Sequence, residues 1–205
     1  MVTVPLAFVV FGTMILEAVR ARRNERGQIA RGGREPAGDV FNIMRVAYPA
    51  AFALMLLEGS LRAMGRVDPV GGRAGIDGAA LKGALDAWRF WHSGPAAPLV
   101  FLAGAGVFAI GKALKWWAIL TLGPAWTFRV IVVPGVRLVA DGPYRFLRHP
   151  NYLGIVGELV GVAVMTTALA SGVLAVLGFG LLMLRRIAVE ERALAAGGLS
   201  AGTRV

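Results

Sequence analysis

The sequence predicts an all-α fold, an integral membrane helical bundle of about five transmembrane helices. Of its 205 residues, 57% are hydrophobic and 17% are charged, and the mean hydropathy is +0.65. A soluble globular domain is nearer half apolar and a quarter charged, so much of this chain is expected to face lipid. The second observation is a series of apolar segments close to the roughly 20 residues that cross a bilayer.

Five apolar segments account for the predicted bundle. The first three run over residues 2–19, about 41–61 and 95–122, and a fourth covers residues 152–169. A fifth, residues 172–184, is too short to cross unaided and is expected to end at the membrane interface. The first segment has the length of a signal peptide, but positive charge follows it instead of preceding it. We therefore interpret it as an uncleaved transmembrane helix.

Polar segments between the spans complete the predicted organisation. Residues 20–39 are rich in glycine and arginine and are expected to form a loop. Residues 79–92 alternate charged residues with aromatic ones, which predicts an amphipathic helix at the membrane interface. We treat residues 1–205 as a single membrane domain, with N-terminal helices and loops over residues 1–96 and the functional core over residues 97–194.

The basic residues predict the orientation of the bundle. The formal net charge is +10, from 22 Lys and Arg against 12 Asp and Glu. Because these residues fall between apolar segments and form no single stripe, we expect membrane lipids as partners and no nucleic acid. Positively charged residues are more frequent in cytoplasmic loops. Their distribution here predicts that the N-terminus lies outside and the C-terminus in the cytoplasm, and we expect the membrane to be a bacterial cytoplasmic membrane. Lys112 and Lys115, late in the third span, are expected to extend toward the headgroups.

Several classes of site are excluded by composition. The chain has no cysteine, which excludes a disulfide framework, a zinc–thiolate site, an iron–sulfur cluster and a catalytic thiol. Its two histidines are His92 and His149. Because protein sites for transition metals draw mainly on imidazole and thiolate ligands, no metal is expected.

The stretch from Asp141 to Gly154, DGPYRFLRHPNYLG, carries the first candidate site residues. Its proline Pro150 fits the first position of a helix, where the missing N–H is not needed. Arg148 and His149 are then expected just ahead of that helix, whose free N–H groups attract anions. With the Tyr152 hydroxyl, they predict a site for a carboxylate or phosphate. The alternative is that the basic residues only anchor a helix end to lipid headgroups.

The second candidate set follows the predicted helical hairpin, in the stretch RRIAVEER. Arg186 and Glu190 are four residues apart and therefore share one helix face, with Glu191 beside them. Taken alone, the pattern is typical of a solvated helix with ion pairs on its surface, each worth a few tenths of a kcal/mol. The two sets flank the hairpin, however, and in the predicted topology both lie at the cytoplasmic face, where we expect them to form one pocket.

Small and acidic residues inside the spans have two interpretations. Glu158 lies within the fourth span, and a carboxylate in a membrane segment is a functional candidate by default, although a packing role is equally open. Glycines of the third and fourth spans either let helices approach closely or leave a lateral opening for a lipid chain. These glycines are Gly104, Gly106, Gly154, Gly157 and Gly161.

The two motifs together resemble the isoprenylcysteine carboxyl methyltransferase family. The resemblance is strongest over residues 115–194, and an Arg-Asn-Glu segment at residues 23–25 is similar to bacterial members. It implies a multi-pass methyltransferase with S-adenosyl-L-methionine as cofactor on the cytoplasmic side. It also implies that Arg148, His149 and Tyr152 bind the methionyl end of the cofactor.

The same resemblance implies roles for the second motif. Glu190 and Glu191 lie near the ribose or the reacting centre, and Arg186 faces the acceptor. We therefore predict Arg186 and Glu190 as catalytic residues and Glu191 as a further cofactor-binding residue. A carboxylate acceptor needs no base, whereas a phenol with a pKa near 10 profits from a general base, for which Glu190 or Glu191 is the candidate.

The expected reaction is O-methylation of a carboxyl or phenolic group on a lipophilic acceptor. The tail after residue 194 contains no aromatic residue, unlike eukaryotic members, so a bacterial lipid phenol or pyrone is preferred over a prenylated cysteine. Three alternatives stay open: a phospholipid N-methyltransferase, an NADPH-dependent membrane reductase of the steroid-reductase type, which shares the Arg-His-Pro-Asn-Tyr motif, and a non-catalytic membrane scaffold.

Overall fold

The computed structural model describes residues 3–64, 97–136 and 138–196, and within them it is all-helical. Five α-helices occur in these ranges, and we number them in chain order: α1 (Thr3–Ala30), α2 (Phe41–Ala63), α3 (Ala97–Leu122), α4 (Pro150–Thr166) and α5 (Leu169–Ala196). Short 3-10 turns cover Gly123–Ala125 and Gly142–Arg145, and one isolated antiparallel bridge joins Arg34 to Val132. The predicted all-α fold is confirmed.

Four of these helices are long and apolar enough to cross a membrane. They are α1, α2, α5, and α3 extended by the 3-10 turn that follows it. Helix α4 is a shorter apolar helix of 17 residues. Large apolar side chains cover the outside of the bundle, and Phe8, Ile110 and Leu174 are each more than 70% exposed. A surface of this kind suits lipid and not water. The chain is therefore a multi-pass membrane bundle.

Two predicted boundaries are wrong. Residues 20–30 were expected in a loop but continue α1 to Ala30, because Ala21 and Gln28 are buried and this part of the helix packs on the end of α3. The last apolar segment was expected to be too short to cross, yet α5 has 28 residues because its helix continues through the charged stretch to Ala196. The predicted interfacial helix at 79–92 lies outside the described residues.

The contact between α3 and α4 is built on glycine. A Cβ added at Gly161 would lie 2.6 Å from the backbone nitrogen of Phe108, and one at Gly111 would lie 2.8 Å from the carbonyl oxygen of Gly154. Backbone therefore meets backbone along this pair, as small residues allow in membranes. Gly104, Gly154, Gly157 and Gly161 belong to this contact, whereas Gly106 has open space around it. Close packing, and not a lateral opening, is the role of those four glycines.

The turn between α4 and α5 is held by α2. The Glu58 carboxylate accepts hydrogen bonds from the backbone N–H of Ala170 (3.2 Å) and of Ser171 (2.8 Å), and from the Ser171 hydroxyl. It thereby caps the N-terminus of α5, where a negative charge is favourable. Arg62 donates to the carbonyl of Thr167, which ends α4 in a left-handed conformation. These contacts tie the hairpin turn to the C-terminal end of α2.

The two lysines of α3 do not extend to the headgroups, contrary to expectation. Lys112 and Lys115 turn inward and pair with Glu17 of α1 and Glu158 of α4. The Tyr48 hydroxyl of α2 donates to Glu158 at 2.6 Å. Lys115 is only 2% exposed, and both glutamates are 1% exposed. The pairing satisfies the charges inside the bundle, which removes the reason for a lysine to reach water. We call these five residues the buried ion network.

Candidate functional site

The two sequence motifs meet at one end of the bundle. Helix α4 begins at Pro150, which occupies its first position, and His149 precedes it as the N-cap residue with a non-helical backbone (φ −130°, ψ 62°). Helices α4 and α5 are antiparallel neighbours joined by a tight turn, so the start of α4 lies beside the C-terminal half of α5. The geometry therefore brings Tyr152 of the first motif to Arg186 and Glu190 of the second.

The Tyr152 hydroxyl connects the two motifs by hydrogen bonds. It donates a hydrogen bond to Glu190 Oε2 at 2.8 Å and accepts one from Arg186 Nε at 2.9 Å. Charge-assisted hydrogen bonds of this type are roughly twice as strong as neutral ones. Glu190 and Arg186 therefore orient the phenol from the same face of α5, and the carboxylate of Glu190 is held beside it.

Arg186 is buried and is bonded to protein on all sides. Its Nη1 donates to Asp39 Oδ1 at 2.9 Å, and its Nη2 donates to the carbonyl of Phe128. Asp39 in turn accepts from the backbone N–H of Phe41 at 3.1 Å and of Val130 at 3.0 Å. Arg186 as a whole is only 6% exposed. Its contacts connect three parts of the chain around Tyr152. These are the start of α2, the segment that follows α3, and helix α5.

Asp39 is a site residue that sequence reasoning missed. Its carboxylate accepts a hydrogen bond from the N–H of Phe41, the first residue of α2, and Asp39 lies one residue before the N-cap Val40. A negative charge is favourable near a helix N-terminus, so an aspartate just before an apolar helix was a usable signal for a local contact. Its pairing with Arg186, 147 residues away, has no local signal.

His149 and Glu191 lie near each other but are not hydrogen-bonded. The distance from His149 Nε2 to Glu191 Oε1 is 3.6 Å, longer than a hydrogen bond. The imidazole instead stacks on the Tyr152 ring, with centroids 5.4 Å apart. Two buried polar atoms at the start of α4, His149 Nε2 and Asn151 Oδ1, have no hydrogen-bond partner among the described residues. Each has unused hydrogen-bonding capacity available to a ligand.

Arg148 stands apart from the other predicted site residues. Its side chain is exposed in the turn ahead of α4. Within the described residues it makes no hydrogen bond or ion pair with the remaining five. The structure thus assembles Tyr152, Arg186 and Glu190 directly, sets His149 and Glu191 at their edge, and leaves Arg148 at the surface.

Tyr144 is a second residue that the sequence analysis missed. It lies in the 3-10 turn Gly142–Arg145, and burial raises the pKa of its phenol, with the negative charge of Glu190 raising it further. The phenol therefore stays protonated over the ordinary pH range. Gly142 shapes this turn, with a φ of 56°, and a side chain there would strike Thr121.

Comparison with known proteins supports the resemblance. Residues 104–196 match the model of the Isoprenylcysteine carboxyl methyltransferase (ICMT) family. A Bacillus subtilis protein named "Uncharacterized protein YpbQ" is 33% identical over 94 residues, which are 46% of this chain and 56% of that protein. A Haemophilus influenzae protein named "Uncharacterized protein" is 29% identical over 92 residues, or 44% of this chain and 54% of that protein.

The matched region thus spans only a little over half of each relative. No solved structure is significantly similar to the chain. The family match covers α4, α5 and most of α3, and every residue of the two motifs falls inside it. Over residues 104–196 the chain therefore matches the isoprenylcysteine carboxyl methyltransferase family, which confirms the resemblance predicted from its sequence.

Proposed function

We propose that this chain is an integral membrane methyltransferase that uses S-adenosyl-L-methionine to O-methylate a carboxyl or phenolic group of a lipophilic acceptor. The main observation behind this proposal is the hydrogen-bonded cluster of Tyr152, Arg186 and Glu190 near the N-terminus of α4. The family match over the same residues supports it.

The residues present fit the cofactor. S-adenosyl-L-methionine presents a carboxylate, an ammonium, ribose hydroxyls and a sulfonium. The positive end of the α4 dipole and the exposed Arg148 suit the carboxylate. The N–H groups of Tyr152 and Leu153 are not free for it, because both donate to the His149 carbonyl. His149 Nε2 and Asn151 Oδ1 offer unused hydrogen-bonding atoms, and Glu191, which is half exposed, suits an ammonium or ribose hydroxyl. When bound, this cofactor supplies an electrophilic methyl group on its sulfonium.

The protein's own residues then position the reactants and handle a proton. Orienting two reactants is worth up to about 7–11 kcal/mol of a barrier, and the rigid contacts among Tyr152, Arg186 and Glu190 provide such a frame. For a phenolic acceptor, Glu190 is placed to accept the proton, because its carboxylate already accepts one hydrogen bond at this point. In this arrangement Arg186 acts through Tyr152, which it holds beside Glu190.

A lipophilic acceptor is favoured by the surface around the site. Phe146, in the turn ahead of α4, is 76% exposed, and Leu153, in the first turn of α4, is 52% exposed. Apolar side chains at this density are typical of a surface that contacts lipid. We propose that the acceptor enters from the bilayer and that this end of the bundle faces the cytoplasm, with the N-terminus outside, in a bacterial cytoplasmic membrane.

The detergent-solubilised protein is expected to bind S-adenosyl-L-methionine and its demethylated product without added metal, because the described residues contain no cluster of metal ligands. His149→Ala is expected to weaken binding about tenfold or more, the loss of one charge-assisted contact, with little change in thermal stability. Arg185→Gln, at an exposed neighbouring position of α5, is the matched control. Calorimetry that detected NADPH binding and no S-adenosyl-L-methionine binding would favour the reductase alternative and overturn the assignment.

The acceptor class is tested with methyl-labelled cofactor and a panel of lipids. Purified protein is incubated with farnesylcysteine analogues, alkylresorcinols and phosphatidylethanolamine, and label is expected in the carboxyl or phenolic acceptors. A slight preference for the phenol is expected, with activity rising as the phenol ionises. Label in the phospholipid amine alone would replace O-methylation with the N-methyltransferase alternative, and binding without transfer to any lipid would favour the scaffold.

A further inference from the structure

The buried ion network is a second polar centre, separate from the candidate site. Lys112 Nζ lies 2.9 Å from Glu158 and 3.2 Å from Glu17, and Lys115 Nζ lies 2.6 Å from Glu17 and 3.4 Å from Glu158. Each lysine thus contacts both glutamates, and the four formal charges cancel. Glu158 is six residues beyond Tyr152 on α4, a rise of about 9 Å. Among the described residues, no hydrogen bond or ion pair joins the network to Tyr152, Arg186 or Glu190.

Helix α1 depends on polar contacts for its place in the bundle. The residues of α1 that are buried are Val10, Glu17, Ala21 and Gln28. Apolar contacts between helices are weak in a membrane, because lipid tails are as apolar as the side chains. Val10 packs into the hydrophobic core, and Glu17 adds the charged contact of α1 within the apolar part of the bundle, where an unpaired carboxylate would be costly.

The same face of α1 also binds the end of α3. Glu17, Asn24 and Gln28 follow each other at helical spacing along one stripe. The Asn24 amide donates to the carbonyls of Gly123 (2.9 Å) and Trp126 (2.8 Å). The Gln28 amide donates to Pro124 (3.1 Å) and Ala125 (2.8 Å). Two side chains of α1 thus bind four consecutive carbonyls in the turn that follows α3.

This contact continues into the candidate site. The Trp126 ring packs edge-on against Phe128, with centroids 5.2 Å apart. The carbonyl of Phe128 accepts from Arg186, and the N–H of Val130 binds Asp39, the ion-pair partner of Arg186. We call residues 123–130 the linking segment, because it joins the stripe on α1 to the arginine of the site.

We infer that Glu17 is a positioning residue: by tying α1 to the lysines of α3, it holds the linking segment against Arg186 and so controls turnover at a site that it does not touch. The inference rests on the proposed methyl transfer for its activity readout. Its structural content, that Glu17 fixes the position of α1, is independent of the reaction.

Two charge-neutral double variants separate this role from simple stability. Glu17→Gln with Lys115→Met removes the ion pairs of Glu17 and leaves the Lys112–Glu158 pair at 2.9 Å. Glu158→Gln with Lys112→Met is the matched control and leaves the Lys115–Glu17 pair at 2.6 Å. Each removes one glutamate and one lysine, so neither leaves an uncompensated buried charge. Both are expected to unfold close to the wild-type temperature.

The position of α1 is measured directly with spin labels. The chain has no cysteine, so Arg26→Cys on α1 and Ala188→Cys on α5, both at exposed positions, give one defined pair of labels. Pulsed electron resonance is expected to give a narrow distance distribution for the wild type and the control. The variant without Glu17 is expected to give a broad one. In unlabelled protein, kcat is expected to fall roughly tenfold or more in that variant, with the Kd for S-adenosyl-L-methionine changed less.

A narrow distribution and wild-type kcat in the variant without Glu17 would overturn the inference. So would an equal loss of kcat in both double variants with both distributions narrow, because the effect would then not depend on α1. If the wild type itself transfers no methyl group, the proposed function fails. The distance distributions still decide whether Glu17 positions α1.

Discussion

Gly161→Ala is expected to destabilise the bundle more than any other change of a single methyl group in α3 or α4. The added Cβ would lie 2.6 Å from the backbone nitrogen of Phe108 and 2.7 Å from its Cα. Unlike a side chain, the backbone of a helix cannot change rotamer to relieve the clash. The two helices must therefore move apart. Overpacking of this kind costs about 1–3 kcal/mol, which lowers the unfolding temperature of a chain of this size by roughly 2–12 °C.

Gly106→Ala is the matched control, because no atom lies within 4 Å of its added Cβ. It lies on α3, facing away from α4, and alanine favours a helix more than glycine does. Its unfolding temperature is expected to equal or slightly exceed that of the wild type. Thermal unfolding of both variants in the same detergent is the measurement. Equal effects of the two changes would show that the close α3–α4 contact is not what the glycines support.

Arg186→Lys is expected to lower kcat by about a hundredfold or more while the protein stays folded. A lysine carries its charge at one point and lacks the planar fork of the guanidinium. It therefore cannot donate to Tyr152, Asp39 and the Phe128 carbonyl at the same time, as Arg186 does. Loss of the contact to Tyr152 frees the phenol from its position beside Glu190, and a misplacement of about 1 Å is enough for this loss of rate.

Arg186→Ala should instead act mainly on stability. It leaves Asp39, which is 9% exposed, without its cation, at a cost of about 3–5 kcal/mol. Adding Asp39→Asn is expected to recover much of the unfolding temperature but none of the turnover. Arg185→Lys, at the exposed neighbour, is the control for both measurements. Full turnover in Arg186→Lys would contradict the role of the three-way contact.

The local parts of the site could be predicted from the sequence. Pro150 marks the first position of a helix, so His149 was correctly placed ahead of α4. Arg186 and Glu190 were correctly placed on one helical face. Their meeting with Tyr152 followed from a helical hairpin, which returns the chain to the face where it began. These inferences needed only chain-local geometry. The chemical roles of these residues stay predictions.

The distant partners could not be predicted in this way. Asp39 binds Arg186 across 147 residues of chain, and Lys112 binds Glu17 across 95. The sequence around one residue of such a pair does not indicate which residue will be its partner, because the pairing depends on which helices become neighbours. The prediction that Lys112 and Lys115 extend to the headgroups was wrong for this reason: a lysine in a span reaches for water only where no carboxylate is within reach.

By itself, the sequence determined that this chain is a membrane bundle and where most of its helices begin. Apolar length and helix-start residues are local properties, and lipid forces every span to satisfy its own backbone. Only the tertiary structure decided how α1 is attached, why the glycines of α3 and α4 are needed and which carboxylates neutralise the buried cations. These features depend on distances between helices, because a charge inside a membrane is tolerated only when folding brings its partner to it.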